Sequence, residues 1–407
     1  MADIVVPLPS SSNNVGSTPE SISSGKPVTI RYKSRKYRGI SSTAVVTIPG
    51  TRIAGINLPV LSVERQSAGL VGIGGNPDQG VFGFAYSSLS DHHPPATAMD
   101  VLYTSDVIPN NEVGIQLCPY DMLQESSINI GNTDITAKCG TDGRSVAWVQ
   151  SPTNNQFSVN IKNILINDEQ ANLPAEFQKK TRKEWTYFVF ILQTCFMCIH
   201  FPKTVVAALV DAILDSGAIR VKSILFRNKL GKIAVKNRLQ GNHPMSKFDF
   251  KIKWEKLPSL SITMFAQTPV TDDNRNSVVA IRLGPKDYIQ IIDSKHVEFI
   301  VAAGPNDNVI LGIPFMTRLR LTFDRTHKRI GLGPGCGCEV STDGYPTISN
   351  ADQVLWSPSQ LPEQPSTSSS GDTSTLRRSF SRLGSTLRGS RRSKPNYKKF
   401  DGYWPLN

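Results

Sequence analysis

The chain has 407 residues, a formal net charge of +12, 39% hydrophobic and 19% charged residues, 30 glycines and 27 prolines. That length supports a sizeable core in one large domain or two lobes. The mix excludes a wholly disordered chain, a coiled coil and a collagen-like repeat, and fits a β-rich, turn-rich protein with polar ends.

Residues 1–26 are rich in Ser, Asn and Pro without periodicity and read as a disordered lead-in. The start, MADIVVPLPSSSNNVGS, has neither the basic nor the apolar region of a signal peptide. From Lys26 to about Asp168, β-branched and aromatic runs such as STAVVTI, GVFGFAY, SVAWV and FSVNIKNILI alternate with Gly, Pro and Asn. They are strand-length, and residues 247–335 continue the style, so the expected fold class is all-β.

One segment departs from this style. Trp185 to Phe201 (WTYFVFILQTCFMCIHF) is 17 residues without a formal charge, preceded by KKTRK at 179–183. It is just long enough to be a candidate membrane segment, at the lower end of the roughly 17–25 residues a span needs. The alternative is an insertion packed on the surface of the fold.

Residues 357–407 hold nine Lys/Arg against Glu363, Asp372 and Asp401, so half the net charge sits in the last eighth of the chain. Leu376, Phe380, Leu383 and Leu387 form a helical stripe with Arg377, Arg378, Arg382 and Arg388 around it. Residues 376–399 thus offer a contact for an anionic membrane or RNA, against the plain reading of a solvated tail. Arg-Arg-Ser-Phe-Ser at 377–381 would suit a basophilic kinase.

Six cysteines are too few for a disulfide scaffold. Cys118 and Cys139 flank a strand-like segment and are a candidate pair, whereas Cys336 and Cys338 are too close to bridge each other easily. Cys195 and Cys198 form a CxxC with no second pair beside it, a weak zinc or redox signal.

The chemistry-bearing stretch is AILDSGA at 212–218. Asp215 followed by Ser216 and Gly217 suits a tight turn that presents a carboxylate to a cleft, with hydroxyl and N–H groups to hold it. Taken alone, Asp-Ser-Gly is a common turn. Further on comes VILGIPFMTRLRLTFDRTHKRIGLGP at 309–334, in which Ile310, Leu311, Gly312, Phe315, Phe323, Asp324, Ile330, Gly331 and Leu332 resemble the C-terminal signature of pepsin-like aspartic proteases. In that family the Ile-Leu-Gly packs beneath the second catalytic turn. LPSLSIT (257–263) and VVAIRLGPKDYIQ (278–290) resemble its paired C-lobe strands. IRYKSRKYRGISSTAVVTIPG (30–50) resembles the flap hairpin, with Tyr32 on the flap tyrosine and Ser34 on the flap hydroxyl residue. GVFGFAYSSLS (80–90), SINIGNTD (127–134) and SVAWV (145–149) resemble further N-lobe strands.

The resemblance implies a bilobal acid-protease fold with an incomplete N-terminal lobe and disordered ends. Its expected divisions are the lead-in at 1–26, a partial N-terminal lobe with the flap at 27–152, a C-terminal lobe at 153–345, and the basic tail at 346–407. The C-terminal lobe would hold the Asp215 turn and an apolar insertion near 179–204. It implies peptide-bond hydrolysis with no metal and no organic cofactor, peptides or proteins as ligands, and a family that is mostly secreted or vacuolar.

Catalysis there needs two carboxylates facing one water, one ionised as general base and one protonated as general acid. The sequence holds a single Asp-Ser/Thr-Gly, at 215–217. Lys33 and Arg35 stand where the flap has glycines, and Ala218 replaces a hydroxyl residue. The expectation is an aspartic endopeptidase homologue impaired as a monomer. The alternatives are an active homodimer with one Asp215 per chain, or a pseudo-protease that binds peptides through its cleft and membranes through its tail.

Overall fold

The structure, a computed structural model, describes residues 2–7, 25–32, 35–63, 80–92, 94–119, 126–131, 146–180, 183–187, 189–222, 229–304, 309–335, 344–351 and 353–355. The tail at 356–407 and most of the lead-in, residues 8–24, lie outside them.

The N-terminal half opens with β1 (Ile4–Pro7), β2 (Lys26–Tyr32), β3 (Arg35–Val46), β4 (Ile56–Val63) and β5 (Val81–Phe82). They form one sheet in the order β2-β3-β4-β1-β5. The hairpin expected at 30–50 is the β2–β3 pair, with Tyr32 opposite Arg35. The short helix α1 (Ala98–Thr104) packs Met99 and Leu102 into the core, and Thr97 caps it by accepting from the Asp100 N–H. Strands β6 (Glu112–Gln116), β7 (Ser127–Ile130) and β8 (Ala147–Gln150) follow.

The C-terminal half contains β9 (Ser158–Ile166), β10 (Val189–Leu192), β11 (Ile199–Phe201), α2 (Lys203–Ser216), β12 (Ile219–Val221), α3 (Lys229–Gln240) and β13 (Phe250–Ile252). After these come β14 (Leu260–Phe265), β15 (Val278–Leu283), β16 (His296–Phe299), β17 (Val301–Ala303), β18 (Ile310–Leu311), β19 (Leu319–Asp324) and β20 (Arg329–Pro334). The large sheet of this half runs β17-β11-β18-β10-β9-β14-β15 before its last two strands, Thr347–Asn350 and Gln353–Leu355. β14 is buried along its whole length, as a central strand with both faces covered must be, and β15 alternates half-buried with buried residues. The two segments read as paired C-lobe strands do pair, Leu260 opposite Leu283.

A third sheet, β7-β6-β19-β20-β8, joins the two halves. Of the segments read as N-lobe strands, SVAWV pairs directly with the C-terminal signature, Gly331 facing Trp148, whereas SINIGNTD reaches it through β6, whose Gly114 faces Thr322. Most of the buried apolar residues of these strands merge into one large cluster, while Val5, Ile30, Leu61 and Val63 form a smaller one within the first sheet.

Candidate functional site: the turn over Ile310–Leu311–Gly312

β10 enters the core with Phe190 and Leu192 buried and Val189 and Ile191 half-buried. β18 lies beside it in parallel, Ile191 opposite Ile310 and Leu192 opposite Leu311. On its other side β18 meets β11 antiparallel, Ile199 opposite Leu311. Because β10 and β11 straddle β18, residues 193–198 must turn back directly over Gly312. The Gln193 N–H donates to the Leu311 carbonyl at 3.2 Å, and the Ile313 N–H to the Phe196 carbonyl at 2.9 Å. A Cβ on Gly312 would lie 2.4 Å from the Cys198 carbonyl oxygen and 2.5 Å from that of Phe196. Glycine here is a requirement of close backbone approach.

The turn so built carries Gln193, Thr194 and Cys195. Gln193 is half-buried, and its Oε1 accepts from the Cys195 thiol at 3.6 Å. An amide does not ionise near neutral or acid pH, so Gln193 offers hydrogen bonds but no general base. Below it Cys198, His200 and Glu298 are half-buried. Burial, with a smaller contribution from Glu298, pushes the Cys198 thiol up to about 11. Burial lowers the His200 imidazole and raises the Glu298 carboxyl, so each favours its neutral form.

The N-terminal half repeats this arrangement. β1 runs parallel to β4, with Ile4 opposite Val60, and antiparallel to β5, with Ile4 opposite Phe82. β11 runs parallel to β17, with Ile199 opposite Val301, and antiparallel to β18. Ile4 therefore corresponds to Ile199, and Val81–Phe82–Gly83 to Ile310–Leu311–Gly312. By this register Asp3 matches Cys198, and the counterpart of Gln193 falls three residues ahead of Met1. Asp3 is buried; burial raises its carboxyl, opposed by Ser90 Oγ donating at 2.5 Å and the Asp91 N–H at 2.9 Å. It ties β1 to the 87–92 segment.

The residues singled out from sequence sit elsewhere. Asp215 is in the last turn of α2, not in a turn between strands. Its side chain is 81% exposed, and its one described partner is Lys232, 3.9 Å away. Val205, Val206, Leu209, Val210 and Ile213 bury one face of α2. Gly217 ends the helix at φ 59°, and Ser216 folds its hydroxyl back onto the Ile213 carbonyl at 2.7 Å. Asp215–Ser216–Gly217 is thus a helix C-terminus, where glycine supplies the left-handed residue. Tyr32 closes the β2–β3 ladder, while Ser34 and Lys33 lie outside the described residues.

The apolar stretch is likewise corrected. Residues 189–192 and 199–201 are two strands of the main sheet, and they carry the turn itself. Among the described residues no helix is long and apolar enough to cross a membrane, and no group of His, Cys, Asp and Glu gathers to hold a metal. Neither Cys195 nor Cys198 is in a disulfide. Cys118 is disulfide-bonded, and Cys139, its candidate partner from sequence, lies outside the described residues. The 376–399 contact and the kinase motif also fall there.

Gln193–Thr194–Cys195 carries no Asp-Ser/Thr-Gly triplet to mark it in the sequence. Another signal was present: three apolar residues, Phe190 to Leu192, run into Gln193–Thr194, and Pro202 then opens a helix with a buried apolar face.

Two β-halves sharing one sheet, each with a short apolar-apolar-glycine strand beside the strand that leaves a turn, define the bilobal acid-protease fold. The family model of eukaryotic aspartyl proteases matches residues 12–335, and the chain belongs to that family. No curated protein matches the chain.

Proposed function

We propose that the chain is an aspartyl protease homologue that binds extended peptides without hydrolysing them. The observation that supports this is Gln193 at the turn packed over Ile310–Leu311–Gly312, where the family carries its second catalytic turn. Hydrolysis in this family needs one carboxylate to deprotonate the water and another to protonate the scissile carbonyl. An amide at position 193 removes one of the two whatever residue precedes Met1. The flap-like β2–β3 hairpin is retained and would cover a bound peptide.

The test incubates purified, folded chain with a denatured protein substrate at acid pH, with and without pepstatin, and in parallel measures binding of a labelled apolar peptide by fluorescence anisotropy. Binding without turnover is the expected result. Turnover abolished by pepstatin would overturn the proposal. If that turnover also vanished in Asp215→Asn, the homodimer with one Asp215 per chain would take its place. The exposed helix-end position of Asp215 beside Lys232 gives that reading no support.

A further inference from the structure

The face built from β12, α3 and β13 carries much of the chain's charge. Its described residues, 219–222 and 229–256, contain ten Lys/Arg against two acids, Asp249 and Glu255. That is +8, where the whole chain is +12.

The same face holds apolar side chains turned away from the core. Val235 and Leu239 anchor α3 inward. At 100° per residue, Leu230 and Ile233 fall on the opposite side, where they are 60% and 47% exposed. Phe248, just before β13, is 69% exposed. It shares with Ala234, Lys222 and Arg238 the wall of a cavity of about 320 Å³. Lys232 and Lys236 border the helix on its α2 side, each within ion-pair range of one exposed acid, Asp215 at 3.9 Å and Asp211 at 3.4 Å. Arg238 and Lys222 border it on the cavity side.

Cations alone would suit any polyanion. Leu230 and Ile233 gain nothing from phosphates and cannot stack on bases as aromatic rings do. A bilayer with anionic headgroups satisfies both parts of the face: the apolar side chains enter the acyl boundary while the cations meet the headgroups. We propose that α3 and Phe248 form a docking face for an anionic lipid bilayer, separate from the Gln193 turn.

The test is co-sedimentation of the full chain with vesicles of phosphatidylcholine, alone or mixed with phosphatidylserine. Leu230→Ser, Ile233→Ser and Phe248→Ser are combined in one variant, and Lys222→Gln and Arg238→Gln in another. All five side chains lie at the surface or the cavity wall, and circular dichroism melting verifies that both variants fold. Expected is binding to the mixed vesicles only, weakened by salt, with partitioning reduced at least about tenfold in the apolar variant. The charge variant should also lose affinity, even with the basic tail intact. Absence of vesicle binding by folded chain would overturn the proposal, as would equal binding by the apolar variant. RNA binding insensitive to the apolar variant, without vesicle binding, would overturn it in favour of a nucleic-acid contact. Capture of an acidic peptide through the three apolar residues, again without vesicle binding, would do so in favour of a protein partner.

Discussion

Gly312→Ala tests whether the turn bearing Gln193 sits where the strand register puts it. The new Cβ would lie 2.4 Å and 2.5 Å from two backbone carbonyl oxygens, those of Cys198 and Phe196, and real Cβ atoms stay beyond 3.0 Å. The turn must therefore retreat by roughly 0.6 Å, and no flexible side-chain end can give way in its place. Overpacking of this kind costs about 1–3 kcal/mol. Stretching the 2.9 Å bond from the Ile313 N–H to the Phe196 carbonyl adds about 0.5–1.5 kcal/mol. The sum, about 1.5–4.5 kcal/mol, is a large share of the ~5–15 kcal/mol that holds a typical domain folded. In urea unfolding it should lower the midpoint by about 0.5–1.5 M for an m-value of ~3 kcal/mol/M. The control is Gly50→Ala: φ is 77° and nothing lies within 4 Å of the added Cβ, so only a backbone cost of about 1 kcal/mol applies. If Gly312→Ala proves no more harmful than Gly50→Ala, residues 193–198 do not pack on Gly312. The assignment of Gln193 to the family's second catalytic turn would then fail with it.

Arg325→Met should destabilise by about 2–3 kcal/mol in the same assay, because the buried guanidinium bonds Asp100 at 3.0 Å and Thr97 at 3.2 Å; Asp100 is partly solvated, which moderates the loss. Asp215→Asn should change stability by less than about 0.5 kcal/mol, since it breaks only an exposed pair; a larger loss would contradict the surface position. Burial acts to raise the Asp324 carboxyl, but the His327 N–H, the Arg329 guanidinium and the His327 ring outweigh it and hold it below the ordinary range. Its stabilisation is therefore full above the unfolded value and is lost as pH falls through the lower folded one, so Asp324→Asn should flatten the acid limb of stability against pH. Cys195 should react with a disulfide reagent ahead of Cys198, whose thiol burial holds at about 11; comparing Cys195→Ala with Cys198→Ala by labelling rate checks the order.

The all-β class, the β2–β3 hairpin and the β14–β15 pair were legible because alternation, turn residues and strand length are local properties. The candidate site was not, since its position is defined by which strand threads between which others. Asp215 illustrates the cost of reading a triplet without its surroundings. Val205, Val206, Leu209, Val210 and Ile213 recur at helical spacing just ahead of it, and Gly217 stands where a helix needs a left-handed residue. Those signals describe a helix end, and they outweigh three residues that also occur in ordinary turns. The charge-free run at 185–201 was ambiguous for a physical reason: a strand buried on both faces and a membrane segment share composition. Only the pairing of β10 and β11 with β18 separates the two.

The duplicated register carries the functional argument further than either half alone. Ile4 and Ile199 occupy equivalent positions, each flanked by a parallel strand and by an antiparallel apolar-apolar-glycine strand. The scaffold that positions a catalytic turn is therefore present in the C-terminal half, down to a glycine with no room for a methyl group. What has changed is the residue the scaffold presents. On the proposed reading, Gln193 stands in place of an aspartate: it is one methylene longer, keeps a carbonyl acceptor, and gives up the charge and the acid–base proton. Such an exchange at a half-buried turn position would spare the fold while removing one of the two carboxylates that hydrolysis needs. Gln193→Asp should accordingly fold as well as the natural chain, and an acid restored at 193 would supply the carboxylate of that turn. Peptide binding that acquires a new dependence on pH in the carboxylate range in Gln193→Asp would place residue 193 against the ligand. A pH profile unchanged from the natural chain would show that the turn and the bound peptide do not meet.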